Sequence, residues 1–185
     1  MPKYYIPKHE FRIITSEEIK PYIEKAEKEE VKAIIALAWL TGARISDLLK
    51  LKRENFLVDE ERKMLTVVIQ ASKGGSVGFP TFSFEDPFVP IILQYLQKFD
   101  RGQKLFRKTK RWYQQELFKL NMQIKGNNQN EWITFHYLRH SRITYIARVL
   151  KATPEEIKSF TGHRSSAYEE YVAPRRVERF AGKFQ

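Results

Sequence analysis

Residues 134–150 read TFHYLRHSRITYIARVL, and this stretch decides how the rest of the chain is interpreted. Its pattern predicts a long helix that begins at a threonine cap and runs to about residue 151. On such a helix His136, Arg139 and His140 share one face, because they stand at positions i, i+3 and i+4. Clustered cationic groups are favoured when an anion binds between them, which indicates a phosphate site. A solvated basic stripe is the alternative that this spacing leaves open.

A second segment, TGARISDLLKL at residues 41–51, follows a mostly apolar helix that starts near Val31. The Thr-Gly pair interrupts that helix, and a second helical stretch is expected to begin directly after it. This places Arg44 at a helix start, with Asp47 three residues later on the same face, so that Asp47 can orient Arg44. Taken alone, the pair also fits a surface ion pair of little energetic value.

The third segment, FTGHRSSAYEEYVAP, covers residues 160–174. A capped helix that starts at Thr153-Pro154 is expected to stop at Gly162, and His163 follows directly. Tyr168 and Tyr171 come next. A tyrosine at helical spacing is ordinarily core or interface filler, so this segment alone indicates no chemistry.

Taken together and in this order, the three segments resemble the signature of the tyrosine recombinases of the phage integrase type. The first family box, TG-x-R-x-x-(E/D)-L, and the second, H-x-L-R-H, are matched by Thr41, Gly42, Arg44, Asp47 and Leu48 and by His136, Leu138, Arg139 and His140. Gly162-His163 occupies the place of the family's Gly-His pair, and Lys73 that of its hairpin lysine. The resemblance runs from about Thr15 to Pro174.

The resemblance implies a reaction in which a tyrosine attacks a DNA phosphodiester and forms a 3′-phosphotyrosyl intermediate with a free 5′ hydroxyl. Arg44 and Arg139 would hold the nonbridging oxygens, and His163 would add a third donor. His136 would accept the tyrosine proton, because its ordinary pKa is near 6.5 while that of tyrosine is near 10. Lys73 would protonate the leaving oxygen. Asp47 and His140 would support these groups.

Tyr171 is the predicted nucleophile. In the family the nucleophile follows the Gly-His histidine by about nine residues, whereas here Tyr171 follows His163 by eight and Tyr168 by five. Choosing Tyr171 removes a single residue from the turn after His163, and turns shorten easily.

The bulk composition fits a protein that binds nucleic acid. The formal net charge is +11 and the isoelectric point is about 9.7, so the surface attracts polyanions, although excess charge can also serve solubility alone. The absence of cysteine excludes disulfides, thiolate metal sites and thiol nucleophiles. No P-loop or metallohydrolase pattern is present, so neither a metal nor another cofactor is expected. No run of about 20 apolar residues occurs, so we expect a soluble cytoplasmic protein without a membrane partner.

Basic residues concentrate in residues 101–130, which hold eight Lys or Arg against one acid, Glu116. The aromatic residues Trp112, Tyr113 and Phe118 are interleaved with them. This pattern predicts a surface for double-stranded DNA. Its candidate DNA-binding residues are Lys108, Lys110, Arg111 and Lys119, with a merely solvated basic helix as the alternative.

The expected fold class is α+β: a mainly helical catalytic domain of the tyrosine-recombinase type with a small antiparallel hairpin or sheet. That β element is expected to pair residues 64–70 with residues 77–84, with Lys73 at its tip. Residues 1–185 would form one domain, without the N-terminal arm domain that closes family members around DNA.

The expected function is therefore that of a site-specific, integrase-like recombinase that needs neither metal nor ATP. Strand relaxation like that of type IB topoisomerases, or a non-catalytic DNA-binding accessory role on the same fold, are the alternatives. The resemblance implies a homotetramer on paired DNA sites, although an isolated domain can be monomeric.

Overall fold

A computed structural model describes residues 13–71, 75–162 and 180–184. In these ranges the helices are α1 (Ser16–Lys25), α2 (Glu29–Thr41), α3 (Ile45–Leu48), α4 (Val89–Leu96), α5 (Lys110–Lys125), α6 (Phe135–Thr144) and α7 (Pro154–Thr161). The strands are β1 (Phe56–Asp59), β2 (Met64–Val67), β3 (Ile69–Gln70), β4 (Val77–Gly78) and β5 (Thr81–Ser83). The predicted α+β class, mainly helical with small antiparallel sheets, is confirmed.

Helix α2 is the centre of the hydrophobic core. From Ala33 to Thr41 every residue is buried, and the helix packs against α1, α4 and α6. A helix that is apolar on all sides is stable only when other elements surround it, which explains its central place. The core therefore positions α6, the helix with the clustered histidines and arginine, against the end of α2.

Threonine caps begin four of the helices. The side chains of Thr15, Thr109, Thr134 and Thr153 each accept a hydrogen bond from a backbone N–H in the first helical turn. Each cap satisfies one of the donors that a helix start leaves free. At α7 the cap is reciprocal, since Glu156 also accepts from the Thr153 backbone N–H. The helix starts predicted at Thr134 and Thr153 are confirmed for α6 and α7.

The strands form two small sheets, where the sequence suggested one pairing of residues 64–70 with 77–84. Strand β2 lies between β1 and β5, and β3 pairs separately with β4. The break falls at Val68, whose backbone N–H donates to the Asn55 carbonyl instead of continuing the ladder. Strand β1 was not expected. It pairs with β2 as a local hairpin in which Asp59 lies opposite Met64, and the turn at residues 60–63, EERK, contains none of the Gly or Asn residues that mark hairpin turns.

Two helices differ from their predicted lengths. The helical stretch expected directly after Gly42 is limited to α3. Beyond it, the chain from Leu51 to Arg53 runs beside residues 103–105, where Lys52 pairs with Lys104 in an isolated antiparallel bridge. Helix α6 ends at Thr144 and continues as a π-helical turn over Tyr145–Val149. None of the helices in the described ranges is long and apolar enough to span a bilayer.

Candidate active site

Arg139 joins the first and second sequence boxes directly. Its guanidinium Nη1 donates a 2.9 Å hydrogen bond to the carbonyl of Gly42, which is the residue after α2. The Arg139 side chain is only 7% exposed. A buried guanidinium must be hydrogen-bonded, and this bond fixes α6 relative to the chain that leads to Arg44.

Gly42 is required both by its backbone conformation and by a close packing contact. Its φ is +65°, in the left-handed region, and it ends α2 as a C-terminal cap. A Cβ added here would lie 2.9 Å from the Cβ of Arg142 on α6. The glycine of the TG box therefore lets the start of α3 approach α6.

We expect Gly42→Ala to lower the free energy of unfolding by about 2 to 4 kcal/mol, since backbone strain and overpacking add at one site. Urea denaturation followed by circular dichroism measures this loss. The matched control is Gly102→Ala, because Gly102 also has positive φ but an added Cβ there meets no atom within 4 Å. Equal losses in the two variants would show that contact with α6 contributes nothing.

Arg44 lies at the N-terminus of α3 and is half-buried, while Asp47 is buried with 4% of its surface exposed. No ion pair between these two side chains is present, and Asp47 Oδ1 has no hydrogen-bond partner in the described part of the chain. The Asp47 carboxylate instead acts on Arg139, whose pKa it raises. The expected Arg44–Asp47 pairing is thus replaced by electrostatic support of Arg139.

Burial and, to a smaller extent, the nearby charge of Arg44 lower the pKa of Arg139 to about 10, while Asp47 opposes the change. With this pKa, the Arg139 guanidinium still carries its charge at neutral pH. Two such cations close together are unfavourable unless an anion lies between them. Their arrangement fits a phosphate with two nonbridging oxygens.

His136 and His140 lie one turn apart on α6, and their Nε2 atoms are 2.8 Å from each other. Burial and the charges of Arg139 and Arg44 lower the pKa of His136, and burial, His136 and Arg139 lower that of His140. A lowered pKa means that both imidazoles are neutral at pH 7. His136 is exposed to solvent, so it can accept a proton from a group that approaches the site.

Lys73, His163, Tyr168 and Tyr171 lie outside the described residues. The described residues nearest to Lys73 contact those nearest to His163. A Cβ added to Gly75 would lie 2.6 Å from the carbonyl oxygen of Gly162, and one added to Gly78 would lie 2.6 Å from its nitrogen. The Phe79 N–H also donates to the Ser159 carbonyl at 2.6 Å. The β3–β4 hairpin and the end of α7 therefore meet backbone to backbone, with no room for side chains.

Helix α5 and Lys108, which lies just before it, present the basic surface that the sequence predicted. Lys108, Lys110, Arg111 and Lys119 are all exposed. The interleaved aromatic residues do not share this exposure, because Tyr113 is buried in the core and Phe118 packs edge-on against Trp132. The surface of α5 can therefore bind phosphates through charge, while Tyr113 and Phe118 anchor the helix.

Asn121 attaches α5 to the rest of the site. Its Oδ1 accepts from the Tyr22 hydroxyl at 2.6 Å and from the Ile133 N–H at 2.8 Å, and its Nδ2 donates to the Ile133 carbonyl at 2.7 Å. The side chain is fully buried. One amide thus links α5 to α1 and to the segment that enters α6.

Arg142 was not recognised in the sequence. It is 3% exposed, its Nε donates to the Trp39 carbonyl at 2.7 Å, and its guanidinium carbon lies 4.4 Å from the Trp39 ring and 4.5 Å from the Phe184 ring. Burial lowers its pKa to about 9. The signal in the sequence that could have found it is spacing. Arg142 stands three residues after the buried Arg139, on the same side of α6.

The profile of the phage integrase family matches residues 12–174, so the chain belongs to the phage integrase family. No curated protein matches the chain in sequence. Among solved structures, the XerH site-specific recombinase bound to its difH substrate is 18% identical with a TM-score of 0.63, over 86% of this chain and 48% of that one. XerA recombinase is 20% identical with a TM-score of 0.60, over 87% and 58%. A lambda integrase dimer bound to a COC′ core site is 14% identical with a TM-score of 0.59, over 85% and 46%.

The chain spans only about half the length of these structures. At this level of identity the likeness shows that the fold is shared. The resemblance deduced from the three sequence boxes is confirmed by the family match.

Proposed function

We propose that this chain is the catalytic domain of a site-specific DNA recombinase that cleaves and rejoins strands through a 3′-phosphotyrosyl intermediate. One observation carries the proposal: Arg139 of α6 bonds to the Gly42 carbonyl and lies close to Arg44, with the neutral His136 beside both. The phage integrase match supports it.

The two guanidiniums stabilise the charge that builds on the nonbridging oxygens as phosphorus is attacked. Arginine suits this task, because its planar fork stays charged and donates to two oxygens at once. Asp47 limits the repulsion between Arg44 and Arg139 before DNA binds. His163, as implied by the family signature, would supply a further donor.

Proton transfer divides between two groups. His136 accepts the proton of the attacking tyrosine, Tyr171, because its lowered pKa keeps the imidazole neutral at pH 7. Lys73 gives a proton to the departing 5′ oxygen. Because the protein–DNA ester retains the bond energy, rejoining uses no nucleotide cofactor.

The substrate is double-stranded DNA. This is supported by the charge of +11, by the exposed cations of α5, and by the DNA complexes of XerH and lambda integrase, which share the fold. We further propose that residues 1–185 act as one domain that assembles as a homotetramer on paired sites and is monomeric without DNA. Its place of action is the cytoplasm, where such DNA is accessible.

The test of this function is incubation with a nicked duplex followed by denaturing electrophoresis. A band that contains both protein and DNA, formed in excess chelator, is the expected product. If the purified domain binds duplex DNA and yields no such band, it is a non-catalytic DNA-binding protein.

Binding should depend steeply on salt, because phosphate contacts release counterions. Neutralising Lys108, Lys110 and Arg111 together should lower the slope of log affinity against log salt by roughly two to three, at about 0.9 for each contact. Fluorescence anisotropy on a labelled duplex measures the slope. Neutralising Lys20, Lys63 and Lys151, which are also exposed, is the control for net charge. An equal change in both variants would exclude α5 as the specific DNA surface.

A further inference from the structure

Arg142 holds one of the last carbonyls of α2. Its Nε donates to the Trp39 carbonyl at 2.7 Å. This carbonyl receives no helical hydrogen bond from Ala43, four residues later, because the Ala43 N–H donates to the Thr41 hydroxyl at 3.1 Å. A helix leaves its final carbonyls unpaired, and the helix dipole favours a cation beside them. Arg142 therefore caps the end of α2 from the neighbouring helix α6.

Arg139 and Arg142 together attach α6 to the end of α2 at two points. Nη1 of Arg139 donates to the Gly42 carbonyl, and Nε of Arg142 donates to the Trp39 carbonyl. One bond alone would let the end of α2 turn about it, whereas two bonds fix its orientation. The Arg142 stem adds a packing contact, because a Cβ added to Gly42 would lie 2.9 Å from the Arg142 Cβ and 3.0 Å from its Cγ.

The surroundings of Arg142 are unfavourable for a charge that only fills space. The residue is 3% exposed, and its Nη2 has no hydrogen-bond partner among the residues that the structure describes. The rings of Trp39, Tyr145 and Phe184 enclose the guanidinium, with centroids 4.4, 5.4 and 4.5 Å from its carbon. An apolar side chain of similar volume would fill this space without the cost of removing a charge from water. The contribution that an apolar side chain cannot make is the bond to the Trp39 carbonyl.

We propose that Arg142 is a positioning residue of the phosphate site: by holding the end of α2, it fixes Arg44 and Arg139 in the orientation that binds a phosphate. Arg142 touches no phosphate itself, because its guanidinium is enclosed in the core. Its effect passes through Gly42, whose carbonyl orients Arg139 and which leads directly to Arg44 at the start of α3. A displacement of about 1 Å in such groups slows a reaction by about a hundredfold.

Arg142→Gln and Arg142→Met form a matched pair of variants. Both remove the charge, and both keep Cβ and Cγ against Gly42. In glutamine the side-chain nitrogen is bonded to Cδ, as Nε is in arginine, so a donor to the Trp39 carbonyl is retained. Methionine has the same length and no donor. Arg148→Met is the control for loss of charge, because Arg148 is exposed and lies just beyond α6.

The first experiment does not depend on cleavage. Isothermal titration calorimetry with inorganic phosphate compares the purified wild type with Arg44→Ala, which defines the contribution of the phosphate site. We expect Arg142→Met to lose affinity to about the level of Arg44→Ala, because the phosphate site is no longer held in place. Arg142→Gln and Arg148→Met should bind phosphate like the wild type.

Equal phosphate affinity in Arg142→Met and Arg142→Gln would overturn the proposal. A wild type whose phosphate affinity does not depend on Arg44 would overturn it as well. Circular dichroism checks that each variant is folded. Loss of the native spectrum in Arg142→Met would assign Arg142 to stability alone, which also contradicts a positioning role.

The second experiment rests on the proposed function. Single-turnover adduct formation on a nicked duplex should be at least about tenfold slower in Arg142→Met than in Arg142→Gln. This difference should shrink when a methylphosphonate replaces the cleaved phosphodiester, because a methyl group in place of a nonbridging oxygen leaves less charge for the arginines to stabilise. Equal slowing on both substrates would indicate a general structural defect and overturn the proposal. A wild type that binds phosphate through Arg44 yet forms no adduct would instead contradict the proposed function.

Discussion

Tyr171→Phe should abolish the covalent protein–DNA adduct on a nicked duplex, whereas Tyr168→Phe should form it at nearly the wild-type level. The phenol oxygen is the atom that bonds to phosphorus, so removing it leaves no route to the ester. Tyr171 follows His163 at one residue less than the family interval, and Tyr168 at four less.

The two phenylalanine variants are controls for each other, because each removes one hydroxyl from the same short segment. DNA affinity measured by anisotropy should be unchanged in both, since neither hydroxyl is needed for phosphate contacts. An adduct that survives in Tyr171→Phe and disappears in Tyr168→Phe would reverse the assignment. Adducts in both would mean that a different residue attacks.

Arg44→Ala should slow cleavage by about a hundredfold or more while DNA binding changes little, which is the scale of losing one donor to a transition-state oxyanion. Arg44→Lys should recover only a small part of the rate, because an ammonium cannot donate to two oxygens in a planar fork. Single-turnover adduct formation at saturating protein separates the rate from the affinity.

Arg139→Ala should slow cleavage at least as much as Arg44→Ala. It should also lower the free energy of unfolding, because the Arg139 guanidinium is buried and bonded to the Gly42 carbonyl. The matched control is Arg111→Ala on the exposed face of α5, which should weaken binding and leave the saturated rate intact. Cleavage by Arg44→Ala at the wild-type rate would exclude the proposed clamp.

The features that the sequence predicted correctly are those set by neighbouring residues. The caps at Thr134 and Thr153 and the end of α2 at Thr41-Gly42 depend on local hydrogen bonds and on local backbone conformation, so residue type reveals them. Helical spacing likewise placed His136, Arg139 and His140 on one face.

The features that the sequence did not reveal depend on contacts distant in the chain. The bridge between Lys52 and Lys104 lies beyond the short helix after Arg44, and no local pattern encodes it. Arg142 looks like one more member of a basic run, yet it is buried against Trp39 and Phe184, which lie far away in sequence. The 2.8 Å contact within the histidine pair depends on side-chain rotamers that spacing does not specify.

The hydrogen bonds of Asn121 limit which residues of this domain can be exchanged. Because Asn121 bonds to Tyr22 and to both backbone groups of Ile133, replacing the whole of α5 would remove the hydrogen bonds that hold the segment leading into α6. Grafting new target specificity onto the domain therefore means exchanging only outward-facing positions, such as Arg111 and Lys119. The inward positions of α5 belong to the framework that holds α6 in place, and they must be kept unchanged.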